Sequence, residues 1–225
     1  MHARNRTRLA AVLIASILLA VVATSAAAID PANLNRITFV NKTGYDIVYL
    51  FFSPGDSDYW GADILSTTRT LDDGEKVGFY IHYPDATNAF DFLAIDEDGD
   101  AYIIWDYEIT DGDSAVIEVT LEDLEGGYDL PALATVDLIN DTGYDIWFAF
   151  FSPGDSRVWG IDMLDDETIL EPDETLSLLV PVTDTATRYD FHGVDVDEDA
   201  YEFWVELSDA QSEYTYAIEF SDLVD

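Results

Sequence analysis

The 225-residue chain contains no cysteine. Disulfides, thiolate metal sites, cysteine nucleophiles and a bacterial lipoprotein anchor are therefore excluded. Basic residues are almost as scarce: nine Lys and Arg stand against 47 Asp and Glu, for a net charge of −38. Three of those arginines, Arg4, Arg6 and Arg8, precede the first acid, so the rest of the chain is more acidic still. Such a chain repels phosphate, which excludes nucleic-acid binding and disfavours an anionic membrane surface. Histidine is also rare: beyond His2 there are only His82 and His192, which are not equivalent positions of the internal duplication. No Gly-x-Ser-x-Gly, His-Glu-x-x-His or phosphate-cradling glycine loop accompanies them. An enzyme is not expected. Long apolar runs are limited to Leu9–Ala23, shorter than the roughly 20 residues a spanning helix needs.

That run sits between a basic start and the small residues Thr24-Ser25-Ala26-Ala27-Ala28, the arrangement of a secretory signal peptide. Residues 1–28 are read as the leader, with cleavage before Ile29. A secreted or periplasmic location is expected, with no membrane span in the mature chain.

The remainder is a duplication with a period of 99 residues. Asn41-Lys42-Thr43-Gly44-Tyr45-Asp46-Ile47 returns as Asn140-Asp141-Thr142-Gly143-Tyr144-Asp145-Ile146, and Phe51-Phe52-Ser53-Pro54-Gly55-Asp56-Ser57 returns at 150–156. Between residues 41 and 65, 17 of 25 positions match without a gap. Two tandem copies are expected at 30–126 and 132–225, joined by a linker at 127–131. A period this long indicates two self-sufficient domains rather than a solenoid. Within each copy, short runs of Val, Ile, Tyr, Phe and Trp alternate with Gly, Pro and Asp clusters. Strands are predicted at 35–41, 46–52, 68–71, 75–83, 90–95, 101–109 and 115–121, with a helical turn near 56–65. The fold class is all-β: two tandem homologous β-sandwich domains after a cleaved signal peptide.

The combined pattern, Asn-x-Thr-Gly-Tyr-x-Ile, then Ser-Pro-x-x-Ser-x-x-Trp-Gly-x-Asp-x-Leu, then Asp-x-Asp-x-Asp before Tyr, resembles a family of secreted bacterial β-domain repeats. The resemblance covers both copies. It implies a secreted β domain and carries no assigned activity.

Three groups of residues are candidate sites. Asp96, Asp98 and Asp100 recur as Asp195, Asp197 and Asp199. Alternating carboxylates can converge on Ca²⁺, which takes hard oxygen ligands, although the EF-hand pattern is not met, because Ala101 and Ala200 stand where its glycine belongs. The plain alternative is a solvated acidic turn. In the second group, Asp56, Trp60 and Asp63 recur as Asp155, Trp159 and Asp162 in a long connection. This is a binding loop or, alternatively, a structural plug with the Trp buried and Ser53 and Asp56 in local turns. In the third, strand periodicity places Trp204 among Glu202 and Glu206 on one face, the arrangement with which a sheet stacks a sugar ring. The same face of copy one carries Ile103, Trp105 and Tyr107, which is more apolar and suited to meeting the other domain.

The expected function is that of an exported, non-catalytic binding protein, Ca²⁺-dependent if the acidic loops hold metal, which recognises an extracellular glycan or surface protein. The alternative is a structural envelope protein whose acidity is salt adaptation only, as the two lysines, Lys42 and Lys76, would suit.

Overall fold

Period-two burial fixes the first strand of each copy. In β1 (Asn35–Lys42), Ile37, Phe39 and Asn41 point inward while Arg36 and Lys42 face solvent. Ala134, Val136, Leu138 and Asn140 repeat the pattern in the second copy. The computed structural model describes residues 29, 34–67, 69–82, 87–110, 114–129, 131–165 and 168–224. The proposed leader, 1–28, lies outside them.

The first copy continues with β2 (Ile47–Pro54), β3 (Lys76–His82), β4 (Thr87–Asp96), β5 (Ala101–Thr110), β6 (Ala115–Thr120) and the two-residue β7 (Leu124–Glu125). The second has β8 (Ala132–Asp141), β9 (Ile146–Pro153), β10 (Gly160–Ile161), β11 (Thr175–Val182), β12 (Thr187–Asp195), β13 (Ala200–Leu207) and β14 (Glu213–Glu219). The sheets run β3-β1-β6 and β2-β4-β5-β7 in the first copy, and β11-β8-β14 and β9-β12-β13 in the second. The last long strand of each copy crosses to the opposite sheet and lies parallel to the copy's first strand. Aromatic rings fill the space between the sheets, as where Phe39 of β1 meets Phe92 of β4 at 6.0 Å between centroids. Among the described residues the only helical turns are 3₁₀ segments at Leu121–Asp123 and Phe220–Asp222. No helix there is long and apolar enough to cross a membrane.

Two sequence expectations change. Of the strand expected at 68–71, residue 68 lies outside the described residues and the rest reduces to a single bridge between Leu71 and Ile47, because the Asp72-Asp73-Gly74 turn comes immediately after it. The helical turn expected near 56–65 is a set of turns and bends interrupted by a bridge from Asp63 to Phe51, its backbone engaged in pairing there instead.

The Asn-x-Thr-Gly turns are built around a buried amide. Asn41 accepts from Thr43 N (3.0 Å) and Oγ1 (2.8 Å), and its Nδ2 donates to the carbonyls of Tyr45 (2.7 Å) and Leu71 (2.8 Å). Gly44, at φ +88°, completes the reversal. Asn140 repeats every one of these bonds. Both asparagines are fully buried, so their N-x-Thr sequences offer no exposed acceptor for a glycan.

The two copies interlock about a pseudo-twofold relation. β10 of the second copy adds to the first copy's β3, with Gly160 opposite His82 and Ile161 opposite Ile81. The next residue continues the exchange: Asp162 N donates to Tyr80 O (2.9 Å), and, 99 residues away in each partner, Asp63 N donates to Leu179 O (2.8 Å). Side chains obey the same rule. Ser57 Oγ donates to Asp155 Oδ1 (2.7 Å), and Ser156 Oγ donates to Asp56 Oδ1 (2.6 Å). Gly160, at φ +73°, lies so close to the first copy that a Cβ would stand 2.3 Å from the Phe52 ring. The entry segments are exchanged too. Tyr128 and Leu133 cover the outer face of the first copy's β2-β4-β5 sheet, while Ile29 and Leu34 cover Phe150 and Val194 of the second. The copies also share one continuous apolar core.

Candidate functional site

The acidic loops are organised by their first carboxylate. Asp96 is buried; its Oδ1 accepts from Asp98 N (3.0 Å) and Asp100 N (2.9 Å), and its Oδ2 from Tyr102 Oη (3.0 Å). Asp195 does the same with Asp197 N, Asp199 N and Tyr201 Oη. Burial, with the neighbouring carboxylate, pushes both phenols above their ordinary range, which keeps them as donors. Asp98, Asp100, Asp197 and Asp199 are exposed. Among the described residues no three acidic or histidine side chains converge as a metal site. The local geometry is that of a hairpin tied by its first Asp. Replacing Asp96 with Ala strips three donors of their acceptor. A loss of about 2–3 kcal/mol is expected, read as a lower midpoint in urea unfolding, whereas Asp98→Ala should leave the midpoint nearly unchanged.

The long connections hold the copies together. Asp63 and Asp162 are buried, and each carboxylate accepts two backbone N–H groups: Leu50 and Leu65 for Asp63, Ala149 and Leu164 for Asp162. Asp56 and Asp155 spend their carboxylates on the other copy's serines, Ser156 and Ser57. Trp159 lies against the wholly buried His192, 4.9 Å between ring centroids. His192 Nδ1 is 2.9 Å from Glu202 Oε1. Trp60 reaches an open cleft. Its Nε1 donates to Tyr128 Oη (2.8 Å), and its ring meets Trp105 at 5.8 Å, tilted by 33°.

Trp105 takes that position because β5 carries a bulge. The β4–β5 pairing shifts between Phe90 and Phe92, and Asp106 adopts φ +51°. Asp91 Oδ1 accepts from Asp106 N (2.7 Å) and so fixes the bulge. Beyond it Tyr107 turns inward against Phe92, so the expected common face of Ile103, Trp105 and Tyr107 is broken: Ile103 is buried under the outer face and Trp105 is 58% exposed. An Asp at 106, where the other copy has the buried Val205, is the sequence signal for this bulge.

A cleft of about 90 Å³ results, walled by Trp60, Trp105, Tyr59, Asp58 and Asp91. A second, of about 220 Å³, adjoins it and shares Asp58, Tyr59 and Trp60, reaching Tyr128 and Pro181. The two form a groove with aromatic walls and an acidic rim. Desolvation raises the Asp91 carboxyl above its usual range, against the pull of the Asp106 N–H. Trp204, on the second copy, is 57% exposed as its alternation predicts, but Arg188 lies over its ring at 5.3 Å.

No family model and no curated protein matches the chain. Two solved structures are similar. A protein from Eubacterium rectale, determined by NMR, is 16% identical over 45% of this chain and 99% of its own, with a TM-score of 0.31. A candidate adhesin from Bacteroides ovatus is 8% identical over 77% of this chain and 82% of its own, with a TM-score of 0.21. At these scores neither likeness transfers a function.

Proposed function

We propose that the chain is an exported, non-catalytic binding protein that holds an extracellular ligand, a polysaccharide or a surface protein, in the groove along Trp60 and Trp105. The open aromatic cleft of the first copy carries this reading. An exposed Trp105 face and a half-buried Trp60 beside carboxylates suit a ligand that presents a flat apolar face and polar or cationic edges. Concave sites of this kind, with few polar groups, are the usual form of a binding pocket. In the second copy Trp159 packs on His192 and Trp204 carries Arg188 over its ring, so the duplication does not supply a second equal site.

Titration of the whole mature chain with neutral oligosaccharides and short peptides, monitored by Trp fluorescence and calorimetry, tests the proposal. Trp105→Ala is expected to weaken the responding ligand about tenfold, the equivalent of one lost stacking contact of about 1.4 kcal/mol, with Trp204→Ala close to wild type. A saturable ligand indifferent to Trp105 would remove the groove from consideration.

A further inference from the structure

We propose, resting on the groove as the ligand site, that the Trp105–Asp91 end of the cleft takes a guanidinium group, the arginine side chain of a protein partner. The second copy makes this pairing internally, at its surface. Arg188 places its guanidinium carbon 5.3 Å from the centre of the Trp204 ring and its Nε 2.5 Å from Asp190 Oδ1. Trp204 and Asp190 are the counterparts, 99 residues on, of Trp105 and Asp91. A cation within about 6 Å of an indole face, ion-paired to a carboxylate, satisfies the ring quadrupole and the charge together.

The first copy keeps the ring and the carboxylate and omits the cation. Ala89 stands where the second copy has Arg188. The backbone at that position is the same in both: Gly55 N donates to Ala89 O (2.9 Å), and Gly154 N donates to Arg188 O (2.8 Å). The Arg188 stem runs over Gly154, where a Cβ would stand 2.6 Å from its Cγ. Gly55 holds the same place beside Ala89, whose Cβ lies 3.1 Å from where a Gly55 Cβ would stand. The cleft therefore presents the same Trp and Asp pair without the internal arginine, in a register altered by the bulge that brings Trp105 to Trp60 and ties Asp91 Oδ1 to Asp106 N, leaving Oδ2 for a cation. Asp58 adds a second carboxylate to the wall. The net charge of −38 draws a basic partner toward it. Guanidinium rather than ammonium is favoured because its flat face stacks on indole while its edge pairs with a carboxylate.

The probe is the peptide acetyl-Gly-Arg-Gly-amide, titrated into the whole mature chain at 150 mM NaCl and monitored by Trp fluorescence and NMR shifts. Its neutral isostere, with citrulline for arginine, and a lysine analogue run in parallel. One site per chain is expected, with the citrulline peptide at least tenfold weaker and the lysine peptide intermediate. Ala89→Arg should fill the cleft and abolish binding without lowering the melting temperature. Arg188→Ala should open the second site and raise the stoichiometry from one to two. Equal response to arginine and citrulline, or arginine binding unchanged by Ala89→Arg, would overturn the proposal. So would equal displacement of all the cations by salt, the mark of diffuse attraction. If a neutral or amino-sugar oligosaccharide saturates a Trp105-dependent site while the arginine peptide does not, the groove stands and the arginine partner falls. If no oligosaccharide or peptide titrates, both fall.

Discussion

A chain cut between Gly126 and Gly127 is expected to remain whole in solution. With a protease site inserted there, cleavage should give two bands on a denaturing gel and one 1:1 species by size-exclusion chromatography with light scattering. The expectation rests on the contacts that cross the cut. Backbone pairing joins β10 to β3, and the Asp63–Leu179 bond answers it on the other side. Tyr128 and Leu133, both beyond the cut, cover Phe51, Leu93 and Ile103 before it. Burying one such side chain contributes about 1.5–3 kcal/mol, and several cross in each direction. Expressed alone, 29–126 would expose that outer face and a bare edge at β3, which sheet proteins avoid. It should self-associate or lose its cooperative melt. Two halves that separate into monodisperse monomers, each melting like the intact chain, would show that the interlock contributes nothing.

How far this arrangement could be read beforehand differs from element to element. The strands were legible because alternation in β1 and β8 is regular and their turns carry Gly44 and Gly143. The long connection stood out because the same residues return in it, yet their contacts were not legible. A pseudo-twofold interface presents each copy to the same surface of its partner, so both copies retain the same residues, as they would for a repeated ligand site. Only distances such as Ser57 to Asp155 and Ser156 to Asp56 distinguish the cases. The acidic loop shows a different gap. Spacing places acids at 96, 98 and 100 but does not say that Asp96 turns inward to accept the N–H groups of Asp98 and Asp100 while those two side chains face water. The aromatic groove was half visible. Trp60 and Trp204 were apparent from sequence, but the bulge that brings Trp105 to Trp60, and the Arg188 that covers Trp204, depend on pairing register and on a contact across strands.

Stability should fall as pH rises from 5 to 9, the reverse of the trend that loss of carboxylate salt bridges in acid produces. Asp63 and Asp162 are the source. Desolvation dominates at both, pushing Asp63 up to about 7 and Asp162 to about 8, and the two N–H bonds to each only partly offset it. In each, Oδ2 is buried and meets no hydrogen-bond partner, which favours the neutral acid. Below about pH 4 both states of the protein hold these protons and the full contribution is present. Between the unfolded value, near 3.8, and the folded ones, the unfolded chain releases its protons while the fold retains them, and stability declines until pH passes 7 and then 8. His82 opposes this over part of the range: burial and nearby His192 lower it to about 4, so its contribution is complete above 6.5 and lost as pH falls through 4. One histidine against two carboxyls leaves the net slope negative, and above 6.5 the carboxyls act alone. The two sites together should contribute on the order of 5 kcal/mol across the window, about 10 °C or more in melting temperature for a chain of this size. The double variant Asp63→Asn, Asp162→Asn keeps the acceptor oxygen for both N–H pairs and cannot ionise. It should melt higher than wild type at pH 8.5 and show a flattened profile. Asp98→Asn with Asp197→Asn removes the same charge from exposed positions, and its profile should keep the wild-type shape. A wild-type profile that rises toward pH 8, or two double variants that flatten it equally, would place the effect in the overall charge of −38 and not in these two carboxyls.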